Sequence, residues 1–297
     1  MTFTQAPFPI NIDGRTRIFF STRSSKDVDG NYCSYIHFAD YDIENRTIIS
    51  FSDTPLIKTG GRGTFDEHGT YPFSLINFKN RFLGYYGGWS RKISVPYEVK
   101  IGMVTSEDGR NFEKCGEGPV IGASLFEPMT LSGPRIFEFN ELLHMFYISG
   151  TKWQRDSVGR PESIFKIRHA TSIDGINWIR QNSNLLNSIL EEDECQASPT
   201  VFYAHNYYHM LFSYKYGSNF RGTDRGYRLG YAVSENLYNW QRVDKMLSIE
   251  ASAELWDNRD ISYPCFYSYK DENYIFYQGN DIGKSGFGYA KLTFVEE

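Results

Sequence analysis

Carboxylates gather ahead of short apolar runs at four places in this chain. Asp66, Glu67 and His68 come just before Tyr71-Pro72-Phe73, and Glu127 stands ahead of Gly133-Pro134-Arg135. The run Glu191-Glu192-Asp193-Glu194 leads into Ser198-Pro199-Thr200, and Trp256-Asp257-Asn258-Arg259-Asp260 leads into Tyr263-Pro264-Cys265. Near the start, Gln5 takes the corresponding place ahead of Phe8-Pro9-Ile10, with no acidic residue beside it. Two carboxyls on opposite sides of one bond can serve as acid and base. Glycosidic bonds are cleaved by such a pair, and the separation of its members decides between retention and inversion. Flat aromatic faces such as those of Trp89 and Trp153 suit the apolar faces of sugar rings. Each residue also admits a plainer reading: an acidic residue before a strand is commonly a turn former or a solvated charge, and a histidine such as His68 commonly bonds a neighbouring loop.

Basic residues recur as well. Lys100, Lys166 and Arg228 each stand six residues before a serine, namely Ser106, Ser172 and Ser234. They could recognise a carboxylate or phosphate on a substrate. They could equally be structural ion pairs to the carboxylates above.

The elements that must carry these residues form a repeat. Pro9, Pro72, Pro134, Pro199 and Pro264 are 63, 62, 65 and 65 residues apart, and each opens an apolar run. About a dozen residues after each proline comes a second aromatic-rich run, for example Met145-Phe146-Tyr147-Ile148 or Tyr274-Ile275-Phe276-Tyr277. These read as paired strands. Ser106, Ser172 and Ser234 are followed six residues later by Phe112, Trp178 and Trp240, with Asp108-Gly109, Asp174-Gly175 or Asn236 between. That spacing predicts a tight hairpin between third and fourth strands, with the aromatic packed in the blade rather than facing a ligand. A repeat of this length with four short strands per unit predicts an all-β, five-bladed β-propeller with antiparallel blades around a central funnel, occupying residues 1–297 as one domain. The last blade is expected to be short, with Met1 to Thr4 as an added edge strand.

Strand direction then sorts the candidates. Residues entering each innermost strand emerge on the same face as the loops between second and third strands. Gln5, His68, Glu127 and Asp257 are thereby expected at the funnel mouth, with Arg23, Trp89, Trp153 and Asn280 on its rim.

Composition narrows the classes. With 40% hydrophobic and 17% aromatic residues the chain can bury a large core. A net charge of −5 and a pI near 5.8 argue against nucleic acid as a partner. No eighteen apolar residues run together and no basic-then-apolar leader opens the chain, so neither membrane nor export is expected. Cys33, Cys115, Cys195 and Cys265 form no CxxC pair and no Cys/His cluster. That predicts no disulfide framework, metal or cofactor, and fits a reducing cytoplasm.

The five repeats, the Ser-x-Asp-Gly hairpins and the acids ahead of inner strands resemble the five-bladed propeller glycosidases, the group around glycoside hydrolase families 32, 43, 117 and 130. The resemblance covers nearly the whole chain. It implies a carbohydrate substrate, and a base or nucleophile, a tuning carboxylate and a general acid on successive blades. By position, it makes Asp66 the base or nucleophile and Glu194 the general acid. For the third carboxylate it offers Glu127 where the group has Asp, or else Asp260. Hydrolysis, phosphorolysis or transfer, and glycan binding without catalysis all remain open on this fold.

Overall fold

The computed structural model describes residues 2–26, 30–190 and 193–294, so Met1, Glu191 and Glu192 lie outside the described residues. Five antiparallel units follow one another along the chain. The first comprises β1 (Thr2–Ile12), β2 (Arg15–Arg23), β3 (Ser34–Asp42) and β4 (Thr47–Phe51). The second comprises β5 (Gly69–Phe78), β6 (Arg81–Arg91), β7 (Tyr97–Ser106) and β8 (Glu113–Lys114). The third has β9 (Leu131–Phe139), β10 (Leu142–Arg155), β11 (Pro161–Ser172) and β12 (Ile179–Arg180). The fourth has β13 (Cys195–Ala204), β14 (Tyr207–Lys215), β15 (Arg228–Ser234) and β16 (Gln241–Arg242). Among the described residues the last has three strands, β17 (Ser262–Tyr269), β18 (Glu272–Gln278) and β19 (Phe287–Leu292).

The ring closes through the first strands: β1 touches β5, β5 touches β9, β9 touches β13, β13 touches β17, and β17 returns to β1. This is a five-bladed propeller. Second strands are buried along most of their length because each blade is covered on both sides by its neighbours; in β10 every residue from Leu143 to Gly150 is buried. Thr2 to Thr4 do not complete the last blade as an edge. They lengthen β1, with Thr2 opposite Arg23, because the chain's first segment is the innermost strand of the first blade.

The repeat prolines mark a bulge. In each inner strand the register slips by one residue between the positions flanking the proline: Thr70 and Phe73, Ser132 and Arg135, Ala197 and Thr200, Ser262 and Cys265. In the first blade the register slips twice, between Thr2 and Gln5 and again between Gln5 and Phe8; the second slip spans Pro7, which is the equivalent proline, while Pro9 sits in regular register opposite Ile18. Ala6, Gly133, Ser198 and Tyr263, each just before its proline, take positive φ; the second blade instead has a cis Tyr71–Pro72 bond. A bulge turns a side chain away from the ladder, and here it does so at the mouth of the channel.

The serine hairpins form as expected. In the third blade Ser172 Oγ accepts from the backbone of Asp174 and Gly175, and Asp174 Oδ1 accepts from that of Ile176 and Asn177. Each hairpin also grips the preceding blade. Tyr85 of β6 donates to Gly175 O at 2.8 Å and meets Trp178 edge-on at 5.7 Å, an aromatic contact worth about 0.5–1.5 kcal/mol beyond its buried area.

One buried pair makes stability depend on pH. His144 Nδ1 and His169 Nε2 lie 2.9 Å apart, with Phe146 stacked on His169, and burial pulls both imidazoles down to about 4. Because their folded values lie below the unfolded one near 6.5, this stability is complete above that value and is lost as pH falls towards 4. The loss should be on the order of 3 kcal/mol per histidine at the acid end. Urea midpoints compared at pH 7 and pH 4.5 should fall steeply for wild type and less for His144→Leu/His169→Phe; equal slopes would contradict the assignment.

Candidate functional site

The four acids ahead of the inner strands have one architecture, and it is not that of a catalytic funnel. Asp66 Oδ2 accepts from Tyr86 Oη at 2.9 Å and pairs with Lys114 Nζ. Glu127 accepts from Tyr147 Oη at 3.0 Å and from Arg180 Nη1 at 2.9 Å. Glu194 Oε1 accepts from Arg242 Nη1 at 2.8 Å and from Gln196 Nε2, while its Oε2 accepts from the backbone of Ile189 and Leu190. Asp257 accepts from Tyr277 Oη at 3.0 Å and from Ser252. All four are buried. Lys114, Arg180 and Arg242 occupy the same place in the fourth strands β8, β12 and β16, opposite Val104, Ala170 and Ala232. Each of these three acids thus fastens the segment entering a blade to that blade's own outermost strand, away from the axis. Among the described residues, Asp257 has no basic partner of this kind and its blade has no fourth strand. Asp66 and Glu194 therefore do not face one another across a pocket, and Glu127 and Asp257 likewise belong to this framework.

The recurrent basic residues each have a partner within the protein. Lys166 is buried and donates to Glu194 O and Ser188 Oγ. Lys100 pairs with Glu98 at 3.5 Å, and Arg228 donates to Asp224 O. His68 Nδ1 accepts from the backbone of Arg91, the loop contact that its plainer reading anticipates.

Trp89 is half-buried, and its Nε1 donates to Ser34 Oγ at 2.7 Å across the seam between the first two blades. Gly69 permits this approach, since a Cβ there would lie 2.6 Å from Trp89 Nε1 and 2.7 Å from Ser34 N. Trp89→Phe should cost about 1 kcal/mol of stability through that bond, read from the denaturant midpoint. An unchanged midpoint with weakened glycan binding would return Trp89 to the role of sugar platform.

A different set of side chains converges at the channel mouth. Tyr71 and Tyr263, both at bulges, have ring centroids 5.7 Å apart, and Tyr227 lies 6.5 Å from Tyr263. Tyr97, at the start of β7, meets Trp153, near the end of β10, edge-on at 5.2 Å. Burial raises all four phenols above the ordinary tyrosine range. Arg23, at the end of β2, donates to Gln5 Oε1 at 3.3 Å, while Gln5 Nε2 donates to Ile282 O.

Charged groups stand around the tyrosines. Glu162, in β11, pairs with Arg221. Lys215 ends β14 buried, 3.3 Å over the Phe220 ring and 5.5 Å from that of Tyr227, and burial pulls its ammonium below the usual lysine range. Asp260 accepts from Tyr227 N at 2.8 Å, and burial pushes its carboxyl above the usual aspartate range. Gly226 makes room for it, since a Cβ there would lie 1.9 Å from Asp260 Oδ1. Asn280 is buried and holds this segment by accepting from the backbone of Arg259 and Asp260, so it positions Asp260 rather than forming the rim.

The two residues ahead of each bulge proline are Gln5 and Ala6, Thr70 and Tyr71, Ser132 and Gly133, Ala197 and Ser198, and Ser262 and Tyr263. None is a carboxylate. The sequence reading missed Tyr97, Glu162, Lys215 and Tyr227, which recur in no other blade; large aromatics directly before Pro72 and Pro264, where other blades have Ala, Gly and Ser, were the legible signal. On the opposite face, a cleft of ≈ 630 Å³ between the second and third blades is lined by Phe78, Met103, Cys115, Ile173 and Ile176. No group of residues suited to a metal ion occurs among the described residues, and no helix there is long and apolar enough to cross a membrane.

No family model matches the chain. Two uncharacterized Mycobacterium tuberculosis proteins, MT1551 and Rv1502, are each 30% identical to it over 288 residues, covering 96% of this chain and 91% of theirs. The chain belongs to their family. Among solved structures, a thermostable family-43 glycoside hydrolase superposes with a TM-score of 0.71 at 14% identity, covering 100% of this chain and 91% of its own. A structure described under the GH130 family of mannoside phosphorylases, containing hydrolases that target beta-1,2 mannosidic linkages in Candida mannan, gives 0.71 at 14% identity over 98% and 84%. The Bombyx mori GH32 beta-fructofuranosidase gives 0.67 at 16% identity over 97% and 59%. The resemblance to propeller glycosidases holds as a likeness of fold.

Proposed function

We propose that this protein acts on the glycosidic bond of a small carbohydrate bound in the tyrosine-lined funnel, with Asp260 as general acid and Glu162 as the second carboxylate. The observation that carries this reading is the Asp260 carboxyl, pushed up by burial and accepting from Tyr227 N at 2.8 Å, with Lys215 over the Tyr227 and Phe220 rings and the Glu162-paired Arg221 4.4 Å over Phe220. An acid that keeps its proton to higher pH can donate it to a leaving oxygen, while an ion-paired carboxylate offers the opposite polarity. Tyr97 and Trp153 present aromatic surface for sugar rings, and Lys215, Arg221 and Arg23 favour an anionic group on the substrate.

A second reading has its own observation: with no carboxylate at the ten positions ahead of the bulge prolines, the funnel could bind a glycan without cleaving it. A panel of p-nitrophenyl glycosides and short oligosaccharides, incubated with and without phosphate, separates the cases. Free sugar irrespective of phosphate means hydrolysis, sugar phosphate formed only with phosphate means phosphorolysis, and saturable binding without product supports the second reading. Neither binding nor product across the panel would refute both.

A further inference from the structure

Arg135 stands beneath the funnel and belongs to no part of the machinery described so far. It follows the bulge of β9 and reaches across the channel: its Nη1 donates to Phe73 O of the second blade at 2.7 Å, and its guanidinium lies 5.2 Å from the Phe8 ring of the first. It also feels Cys265 and Tyr263 of the last blade and Tyr71 of the second. It is 4% exposed. An arginine does not deprotonate in a protein, and a buried charge requires a partner. Yet no carboxylate pairs with Arg135 among the described residues, and its Nε and Nη2 have no hydrogen-bond partner there.

Those two nitrogens are not an arbitrary pair. Nε–H and the adjacent Nη2–H form one edge of the guanidinium, a fork that matches two oxygens of a carboxylate or phosphate. Arg17 shows the occupied version in this same molecule. Its Nη1 donates to a backbone carbonyl, Gly109 O, at 3.0 Å, while Nε and Nη2 grip the two oxygens of Asp40 at 2.7 and 2.8 Å. Arg135 repeats the first half of that arrangement and leaves the fork open. On β5, the strand that supplies its carbonyl, Thr70 Oγ1 and Ser74 Oγ are also buried without partners.

From this geometry we infer that the central channel carries an oxyanion site in which the Nε/Nη2 edge of Arg135 binds two oxygens of one small anion. The anion takes the place that Asp40 holds beside Arg17. The chemistry is shared by inorganic phosphate or sulfate and by a small carboxylate, and it is independent of whether the funnel above cleaves a glycoside.

The test uses the full chain in chloride buffer at fixed ionic strength, titrated separately with inorganic phosphate, sulfate and acetate while thermal unfolding is followed. Wild type should be stabilised saturably by at least one of the three, and which arms respond identifies the source. Arg135→Met should lose the response, with affinity reduced at least about tenfold, whereas Arg228→Gln should keep it. Should Arg135→Met not fold, crystals of wild type grown in selenate decide the matter, with an anomalous peak expected beside Nε and Nη2 of Arg135. Stabilisation by no oxyanion beyond that of chloride, a response that survives Arg135→Met, or water alone on the fork in selenate crystals would overturn the inference.

Discussion

Asp260→Asn is expected to lower turnover of a cleaved glycoside by about 10²–10⁴-fold while leaving the propeller folded. Asparagine keeps the shape and can still accept from Tyr227 N, but it carries no transferable proton. Because the general acid must be protonated and burial raises the carboxyl above its ordinary range, the alkaline limb of the pH profile should fall as pH rises through that raised value. The variant should lose this alkaline limb. Substrates with good leaving groups should be affected least, since they need little protonation. Asp66→Asn, by contrast, should keep wild-type turnover in its folded fraction. Steady-state kinetics across pH decide the point: a large loss in Asp66→Asn with none in Asp260→Asn would move the chemistry back to the framework acids.

Glu194→Ala should be among the most destabilising single changes in the molecule, costing about 3–5 kcal/mol. Glu194 is 0% exposed and receives Arg242, Gln196 and two backbone N–H groups. Its removal leaves the largely buried Arg242 guanidinium with Asp244 as its remaining ionic partner. Glu194→Gln/Arg242→Met, which removes both charges, should recover part of the loss, because a buried pair replaced as a unit costs less than a pair broken in half. Denaturant unfolding of the single and double variants measures this directly. A Glu194→Ala protein as stable as wild type would mean that the carboxylate is free for another role.

These expectations differ from the sequence reading in a way that specific residues explain. The blades were legible because they repeat: the prolines, the second-strand aromatics and the serine hairpins each recur on a fixed spacing. The acids ahead of the inner strands recur too, and that recurrence is what identifies them as framework. Lys114, Arg180 and Arg242 each stand eight residues after Ser106, Ser172 and Ser234, and they follow Asp66, Glu127 and Glu194 by 48, 53 and 48 residues. The match between acid and base was present in the sequence. It went unused because an acidic residue before a strand shows neither which way it turns nor what it meets.

The funnel was harder to see for the opposite reason. Tyr97, Glu162, Lys215, Tyr227 and Asp260 come from different places in different blades, so no spacing connects them. Asp260 alone of this group was singled out, as one alternative for the third carboxylate. Its neighbours become visible only when the ring closes and brings β7, β11, β14 and the segment before β17 to one mouth. The proline register shows a smaller effect of the same kind. Pro9 fits the period by eye, but the bulge is at Pro7, because the slip between paired strands rather than sequence spacing alone defines equivalence.

The central claim is that the tyrosine-lined funnel, and not the acids buried along the blades, receives the carbohydrate. A crystal structure with an oligosaccharide chosen from the binding panel tests it most directly. A sugar ring is expected against Tyr97 and Trp153, with its glycosidic oxygen within reach of the Asp260 carboxyl and Glu162 near the same bond. A sugar seated instead in the cleft beside Ile173 and Ile176 on the opposite face, with the funnel holding only water, would contradict it.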